Sequence, residues 1–388
     1  MSRVPSVVAG WLLSRVLLLL LVLIPSEQSA VGDLSIYHRW SIDAWCHHVI
    51  PGRDYAWEYP PGALPFAALP LGCSSPREFI SWYLVLALMA DLAVLFALRG
   101  LPRGTQAAWV WVIMLPLIGP VVMARFDIVA SLLVALAFVH VARRPALSGA
   151  LLTVATAVKL WPALVLALFA TTRRRVRSLL GGALACAALL AGLFAALGTL
   201  GAFTSALEYQ RDRGLQIESV AALPWVWAHV GGGAHFRYAF GGWQVEGTGT
   251  SVAASVTFFG SAVALLLLLA HAFRTRPEPA QLAALTALAI AVVLAADKVL
   301  SPQYLLWLGV AVAVLAGHSR LSRPLLACTF VVSALTQVIY PVGYHQLLIG
   351  TPAMAAVVTA RDLGLVAITV LLLRHLSRRT TSTPKEPT

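Results

Sequence analysis

Charged residues are scarce in this chain. Aspartate, glutamate, lysine and arginine make up 11% of its 388 residues, against roughly 25% in a typical soluble domain. Hydrophobic residues make up 59%, and the mean hydropathy is +0.82. This composition excludes an ordinary soluble domain and indicates a polytopic membrane protein.

Two metal-binding patterns are also missing. The four cysteines show no CxxC spacing, and no Asp-x-Asp carboxylate pair occurs. We therefore expect no metal site and no other cofactor. Cys46 and Cys73 share one loop, where a disulfide and two free thiols are equally compatible with the sequence, whereas Cys186 and Cys328 lie inside apolar segments.

Acidic residues are fewer than basic ones, 16 against 28, which gives a net charge of +12. The basic residues occur in short clusters between apolar runs. That is typical of cytoplasmic membrane loops beside anionic headgroups. We therefore expect membrane lipids as partners and no nucleic acid.

Apolar runs of membrane-spanning length predict the fold class. They cover about 6–25, 79–98, 107–124, 126–142, 178–200, 251–273, 280–296, 300–317, 324–340 and 353–373. The stretch 147–172 fits either one tilted span or two short spans, and the positive-inside rule favours two, 147–160 and 162–172. The prediction is an all-α polytopic membrane protein, a bundle of about 12 transmembrane helices (10–13) with extracytoplasmic loop helices and both termini cytoplasmic.

The domain organisation follows from this topology. Residues 1–375 form a single membrane domain, and 376–388 form a disordered cytoplasmic tail. Two long outer loops, about 26–78 and 201–250, contain most of the acidic residues. The stretch "DLSIYHRWSIDAW" has helical spacing behind Asp33 and predicts an interfacial helix with Asp33 as its N-cap.

Three polar positions at outer span ends are candidates for chemistry. Asp33 is either a general base or only a helix N-cap. Arg125 and Asp127, in "RFD", are either an anion site or a helix-end anchor. Lys159, in "KLWP" beside Pro162, either meets a lipid phosphate or extends to the outer headgroups.

Two further polar segments face the same side. "RGLQIES" supplies Arg213, Gln216 and Glu218, and "DKVLSPQYLLWL" supplies Lys298 and Gln303. For Asp297 and Lys298 the alternative is an ion pair at a helix end. Together these segments suit a lipid-phosphate-linked substrate meeting a hydrophilic one, and they would also suit the vestibule of a transporter.

The order of these motifs resembles that of GT-C type integral-membrane glycosyltransferases, above all the polyprenyl-phosphate-mannose-dependent mannosyltransferases of glycosyltransferase family 87. The resemblance covers about residues 5–375. "KLWP" and "KVLSPQY" are also similar to stretches of the first GPI mannosyltransferase. The motifs are "GDLSIY" (32–37), "WEYPPG" (57–62), "RFD" (125–127), "KLWP" (159–162), "RGLQIES" (213–219) and "KVLSPQYLLW" (298–307).

The resemblance implies an inverting hexosyltransferase, with mannose as the expected sugar, on the outer face of a bacterial plasma membrane. Asp33 would be the catalytic base. The donor would be a polyprenyl-phosphate-linked sugar, and the acceptor a glycolipid or lipoglycan. Residues expected to bind the donor phosphate or substrate are Arg125, Asp127, Lys159, Lys298, Gln303, Tyr37, Tyr59, Arg213, Gln216 and Glu218. Family members carry a histidine pair where this chain has Pro302-Gln303, so no catalytic histidine is assigned.

Two alternatives stay open at this point. A lipid or sugar-lipid transporter would show paired broken helices, whereas the sequence predicts only one break, within 147–172. A glycosyltransferase-like scaffold without catalysis would tolerate the loss of Asp33.

Overall fold

A computed structural model describes residues 4–24, 30–172 and 176–380. Its described residues form helices and one small antiparallel hairpin, which confirms an all-α polytopic membrane protein. The α-helices are α1 (Val4–Leu21), α2 (Asp33–Trp45), α3 (Leu64–Ala67), α4 (Pro76–Arg99), α5 (Gly104–Ile118), α6 (Asp127–His140), α7 (Pro145–Val158), α8 (Pro162–Phe169), α9 (Val176–Ala196), α10 (Gly201–Asp212), α11 (Leu223–Val230), α12 (Thr250–Thr275), α13 (Pro279–Ala296), α14 (Leu305–His318), α15 (Arg323–Gln337), α16 (Tyr344–Leu348) and α17 (Pro352–Thr380).

Six of the described helices are long and apolar enough to cross a membrane. They are Pro76–Arg99, Val176–Ala196, Thr250–Thr275, Pro279–Ala296, Arg323–Val342 and Pro352–Ser377. The other predicted spans fall on shorter apolar helices. The basic run Arg173–Arg175, which contributed to the predicted topology, lies outside the described residues.

The stretch 147–172 forms two helices, as predicted. α7 ends at Val158, Lys159 is extended, and α8 begins with Pro162 in its first turn. Proline fits the start of a helix because its missing N–H would have no helical partner there. The eight residues of α8 rise only about 12 Å, so α8 is shorter than the hydrocarbon core.

Close helix packing surrounds a central α14. Every residue from Leu305 to Gly317 in α14 is buried. In α12, by contrast, only Ala272 is buried. α7 and α9 approach so closely that a Cβ on Gly182 would lie 2.0 Å from the carbonyl oxygen of Ala146. Small residues allow such contacts between helices in a membrane.

A buried ion pair connects α1, α4 and α5. The Arg15 guanidinium donates to both carboxylate oxygens of Asp91 at 2.6 and 2.7 Å. The indole N–H groups of Trp11 and Trp111 donate to the same carboxylate at 2.6 and 2.7 Å. This network satisfies a charge pair inside the bundle, and the sequence analysis did not predict it.

The segment between α1 and α4, which was predicted to be an outer loop, contains α2 at the position of the predicted interfacial helix. Its N-cap is Gly32, so the expectation that Asp33 caps the helix is wrong. Asp33 is the first helical residue, and its carboxylate is directed to another partner. A disulfide joins Cys46 to Cys73, with their Cα atoms 5.6 Å apart. Of the two alternatives left open by the sequence, a disulfide or two free thiols, the disulfide is the one observed.

The second outer segment contains α10, α11 and a hairpin that the sequence analysis missed. Strand β1 (His235–Ala239) pairs with β2 (Gly242–Glu246) in antiparallel register. At the chain's other end, α17 continues to Thr380, so residues 376–380 of the predicted disordered tail are helical. Residues 381–388 lie outside the described part.

A second helix break was also not predicted. α15 is followed by an irregular turn, Val338–Val342, in which Tyr340 is extended (φ −132°, ψ 122°) immediately before Pro341. A residue before proline favours this extended conformation. The premise that 147–172 is the one broken region is therefore wrong.

Candidate active site

Most of the predicted site residues line one cavity of about 580 Å³. Its walls come from both outer segments, from the break between α7 and α8, and from the turn that precedes α14. Of the predicted residues, those that line it are Asp33, Tyr59, Arg125, Lys159, Arg213, Gln216, Glu218 and Gln303.

Asp33 and Arg125 form an ion pair at the wall of this cavity. The first residue of α2 places the Asp33 carboxylate where it accepts a hydrogen bond from Nη1 of Arg125. Arg125 is extended between the turn Pro120–Ala124 and α6. The Asp33 side chain is 36% exposed, so a ligand in the cavity can reach it.

Lys159 lies among aromatic rings and beside a second carboxylate. Its ammonium is 4.5 Å from the ring centre of Tyr59 and 4.7 Å from that of Phe126. Oδ2 of Asp127 lies 3.3 Å from Nζ. Because Lys159 is buried, with 8% of the residue exposed, it does not extend to the headgroups.

Asp127 lies behind the residues that line the cavity. It is fully buried, it does not line the cavity, and it accepts a hydrogen bond from the Trp307 indole at 2.8 Å. The predicted direct contact of Asp127 with substrate is therefore corrected to a positioning role on Lys159 and Trp307.

The "WEYPPG" turn brings Glu58 and Tyr59 to the cavity. The turn packs closely on the end of α7, because a Cβ on Gly62 would lie 2.6 Å from the Ala157 carbonyl oxygen. Tyr37 lies behind Tyr59 in an aromatic cluster and does not line the cavity, which corrects its predicted role. Glu58 lines the cavity but was not among the predicted residues.

The "RGLQIES" segment is fixed by backbone pairing with the hairpin. Ile217 N–H donates to the Trp243 carbonyl at 3.0 Å, and Val245 N–H donates to the Leu215 carbonyl at 2.8 Å. Nε2 of Gln216 donates to Glu218 at 3.0 Å. Burial raises the pKa of the Glu218 carboxyl from its ordinary 4.5 to about 8.

Lys298 does not reach the cavity. Its ammonium donates to the carbonyl oxygens of Arg211 and Arg213 at 2.8 and 2.7 Å, so it anchors the end of α10. This corrects the expectation of a phosphate contact. The alternative of an ion pair with Asp297 is not the contact observed either. Gln303 does line the cavity, and its Oε1 is buried with no partner among the described residues.

The rest of the lining is apolar or aromatic and was not predicted. Trp307 stacks between Tyr304, at 3.9 Å, and Trp161, at 5.5 Å between ring centres. An apolar wall continues along the helices through Leu164, Leu265, Ile290 and Val293. The aromatic residues of "KLWP" and "SPQYLLW" are the signal in the sequence from which this wall could have been predicted.

The arrangement defines what the cavity can do. Arg125, Lys159 and Arg213 can hold an anionic group, the apolar wall can hold a hydrocarbon chain, and the Asp33 carboxylate can accept a proton from a hydroxyl. Within the described residues, no group of three His, Cys, Asp or Glu side chains is placed to hold a metal ion.

Residues 57–302 match the family model of Glycosyltransferase family 87, which covers more than half of the chain. No curated protein matches. The matched range includes Arg125, Lys159 and Glu218 and begins after Asp33.

Proposed function

The chain belongs to glycosyltransferase family 87, and from this membership we propose that it transfers a hexose from a polyprenyl-phosphate donor to an outer glycolipid or lipoglycan. Mannose is the expected sugar, and inversion at the anomeric carbon is the expected outcome. The observation that carries the proposal is the single cavity in which Asp33, Arg125 and Lys159 meet an apolar wall.

The donor fits this cavity by its chemistry. A polyprenyl chain needs an apolar surface, which Leu164, Leu265 and Ile290 supply, and its phosphate needs cations beside that surface. Lys159 is already positioned by Asp127, so little side-chain entropy is lost when it meets a phosphate.

The transfer step is a displacement at the anomeric carbon. Asp33 takes the proton of an acceptor hydroxyl, whose oxygen forms the new bond to that carbon. The bond from the carbon to the phosphate oxygen breaks, and polyprenyl phosphate leaves with the electron pair. Arg125 and Lys159 stabilise the charge that develops on this leaving group.

The Arg125–Asp33 ion pair suggests an order of events. While Arg125 binds Asp33, its guanidinium occupies the carboxylate that would otherwise take the proton of the acceptor hydroxyl. A donor phosphate competes for Arg125 and releases the carboxylate. The base therefore becomes active only when the donor is present.

One observation supports an outer location of the site, in a bacterial plasma membrane with both termini cytoplasmic. The disulfide Cys46–Cys73 closes a loop that contains Glu58 and begins at the end of α2, the helix that starts with Asp33. Disulfides persist in oxidising compartments and are rare in the cytosol.

One observation favours the transporter alternative. Two helices are broken, at Lys159–Trp161 and at Val338–Val342, and both breaks contribute lining residues. Broken helices around a central site are typical of secondary transporters. Family membership supports the transferase, and one experiment separates the two.

That experiment measures transfer from radiolabelled polyprenyl-phosphate mannose to host lipid extract in proteoliposomes. We expect transfer by the wild type and none by Asp33→Asn. Asp54→Asn is the matched control, since Asp54 lies in the same outer segment in an exposed ion pair with Arg53. Donor translocation without transfer would support the transporter, and equal transfer by Asp33→Asn would remove Asp33 from the mechanism.

A further inference from the structure

The tip of the hairpin has an unusual residue for its backbone conformation. Phe240 and Gly241 connect the strands, and both have positive φ, 52° and 68°. Two-residue turns of this kind strongly favour Asn-Gly, and a bulky residue at positive φ is a genuine outlier. The turn alone therefore does not explain an aromatic residue at position 240.

The ring of Phe240 lies at the cavity with its neighbours. Tyr238, Phe240 and Trp243 all contribute to the lining, and Tyr238 is 62% exposed while Phe240 is 36% exposed. Edge contacts hold the rings in place, at 5.4 Å between Tyr209 and Phe240 and 5.6 Å between Tyr238 and Trp243. In an edge-to-face pair one ring presents its edge and the other one of its two faces, so every ring keeps at least one flat face outside the contact.

The hairpin is fixed next to polar residues of the cavity. The "RGLQIES" segment pairs with β2, and an ion pair joins Arg237 to Glu246 across the strands. A Cβ on Gly242 would lie 3.4 Å from Nε2 of Gln216 and 3.6 Å from Nη2 of Arg213. Glycine at position 242 thus keeps space open between the tip and these donors.

Some of the polar atoms beneath the tip have no partner in the described part of the chain. They include Nε of Arg213 and Oε1 of Gln303, both buried in residues that line the cavity. The Glu218 carboxyl accepts a hydrogen bond from Nε2 of Gln216, and its pKa of about 8 lets it also donate one at neutral pH. Mixed donors and acceptors beside aromatic faces suit sugar hydroxyls and the apolar face of a sugar ring.

We infer that the hairpin tip and the Arg213–Glu218 segment form the acceptor subsite, where a pyranose ring of the acceptor stacks on Phe240 and Tyr238. This inference rests on the proposed function and adds to it that the acceptor is recognised by its glycan rather than by its lipid. The strained position of Phe240 is explained because the turn presents its ring to that glycan.

The first test uses water-soluble acceptors without a lipid, a panel of methyl hexosides and short mannosides. Phe240→Asn restores the residue that the turn favours, so the fold is preserved while the ring is lost. We expect the acceptor KM to rise about tenfold, as loss of one buried ring face predicts, with the donor KM unchanged. Tyr238→Ser should act in the same direction.

Trp227→Ala is the matched control, because Trp227 is an exposed aromatic of the same outer segment that does not line the cavity. We expect it to leave the acceptor KM unchanged. Equal acceptor KM values for the wild type and Phe240→Asn would overturn the inference. A defect that is confined to lipid-linked acceptors would also overturn the inference, because it would indicate that Phe240 anchors in the membrane rather than stacking on a glycan.

The second test does not need turnover. Binding of the same saccharides to the Asp33→Asn protein in nanodiscs is measured by saturation-transfer NMR, with and without Phe240→Asn. Binding that depends on Phe240 supports the subsite even where the wild type transfers nothing, and in that case only the proposed function fails. No saccharide binding, or binding that is indifferent to Phe240, overturns the subsite.

Discussion

At the scale of single residues, the two carboxylates nearest the cavity cations have different surroundings. The side chain of Asp33 is 36% exposed, whereas that of Asp127 is fully buried between Lys159 and Trp307. Of the two, only Asp33 lies where a ligand in the cavity can contact it. Asp127 instead contacts Lys159 and Trp307, so we propose separate tasks for the two aspartates.

Lys159→Gln tests the cation that Asp127 holds. Loss of the charge beside the leaving phosphate should lower kcat/KM for the donor about 100-fold, and Lys159→Arg should retain more activity than Lys159→Gln. Initial-rate kinetics with varied donor measure the effect. Arg53→Gln, at an exposed ion pair, is the control. Unchanged kinetics in Lys159→Gln would remove Lys159 from phosphate binding.

The raised pKa of Glu218 predicts the direction in which the stability of the folded protein changes with pH. Between its ordinary pKa of 4.5 and its raised pKa of about 8, the folded state keeps a proton that the unfolded state releases. The free energy of unfolding therefore falls as the pH rises through this window, by on the order of 3 kcal/mol. Glu218→Gln should lack this fall.

Thermal unfolding in nanodiscs at pH 5 and pH 8 measures this difference. Comparing the wild type with Glu218→Gln at each pH cancels the contribution of the other titrating groups. A wild type and a variant that lose the same stability between pH 5 and pH 8 would contradict a raised pKa for Glu218.

At the scale of elements, two neighbouring glycines of α9 face different surroundings. Gly182 packs on the backbone of α7, whereas a Cβ on Gly181 would meet nothing within 4 Å. Gly182→Ala should therefore destabilise the protein by about 1–3 kcal/mol through overpacking. Gly181→Ala should be neutral or stabilising, because alanine favours a helix. Thermal unfolding of both variants measures the contrast, and equal shifts would contradict the close contact.

The sequence predicted the long elements because apolar length is a local signal. It also predicted the break before Pro162, because the positive-inside rule favoured two short spans over one in 147–172. It missed the hairpin because each strand is only five residues long and the strands turn at Phe240-Gly241 rather than at Asn-Gly. The second break, at Tyr340-Pro341, lies where the predicted span 324–340 ends, so it was taken for the end of a span.

The site was predictable as a set of residues but not as a geometry. Asp33, Arg125 and Lys159 stood out as charges at span ends, and they line one cavity. Lys298 stood out in the same way but binds two carbonyl oxygens instead. Whether a charged side chain faces a ligand or the backbone depends on tertiary packing, and sequence spacing carries no information about it.

At the scale of the whole molecule, the topology itself makes a prediction. In a Cys73→Ser variant, the freed Cys46 thiol should react with a membrane-impermeant maleimide applied to intact spheroplasts. A cysteine introduced by Thr275→Cys, at the last residue of α12 beside the basic connection to α13, should react only after permeabilisation. The reverse pattern would place the cavity on the cytoplasmic side.

The exposed helix α12 has a consequence for how this protein would meet the proposed donor. α12 presents Leu265 to the cavity, and many of its apolar side chains are exposed, among them Val256, Phe259 and Leu266. A substrate that arrives past such a helix diffuses in two dimensions within the bilayer. Its effective concentration is then a mole fraction of the lipid, so adding donor-free lipid to proteoliposomes should slow transfer although the bulk amount of donor stays constant.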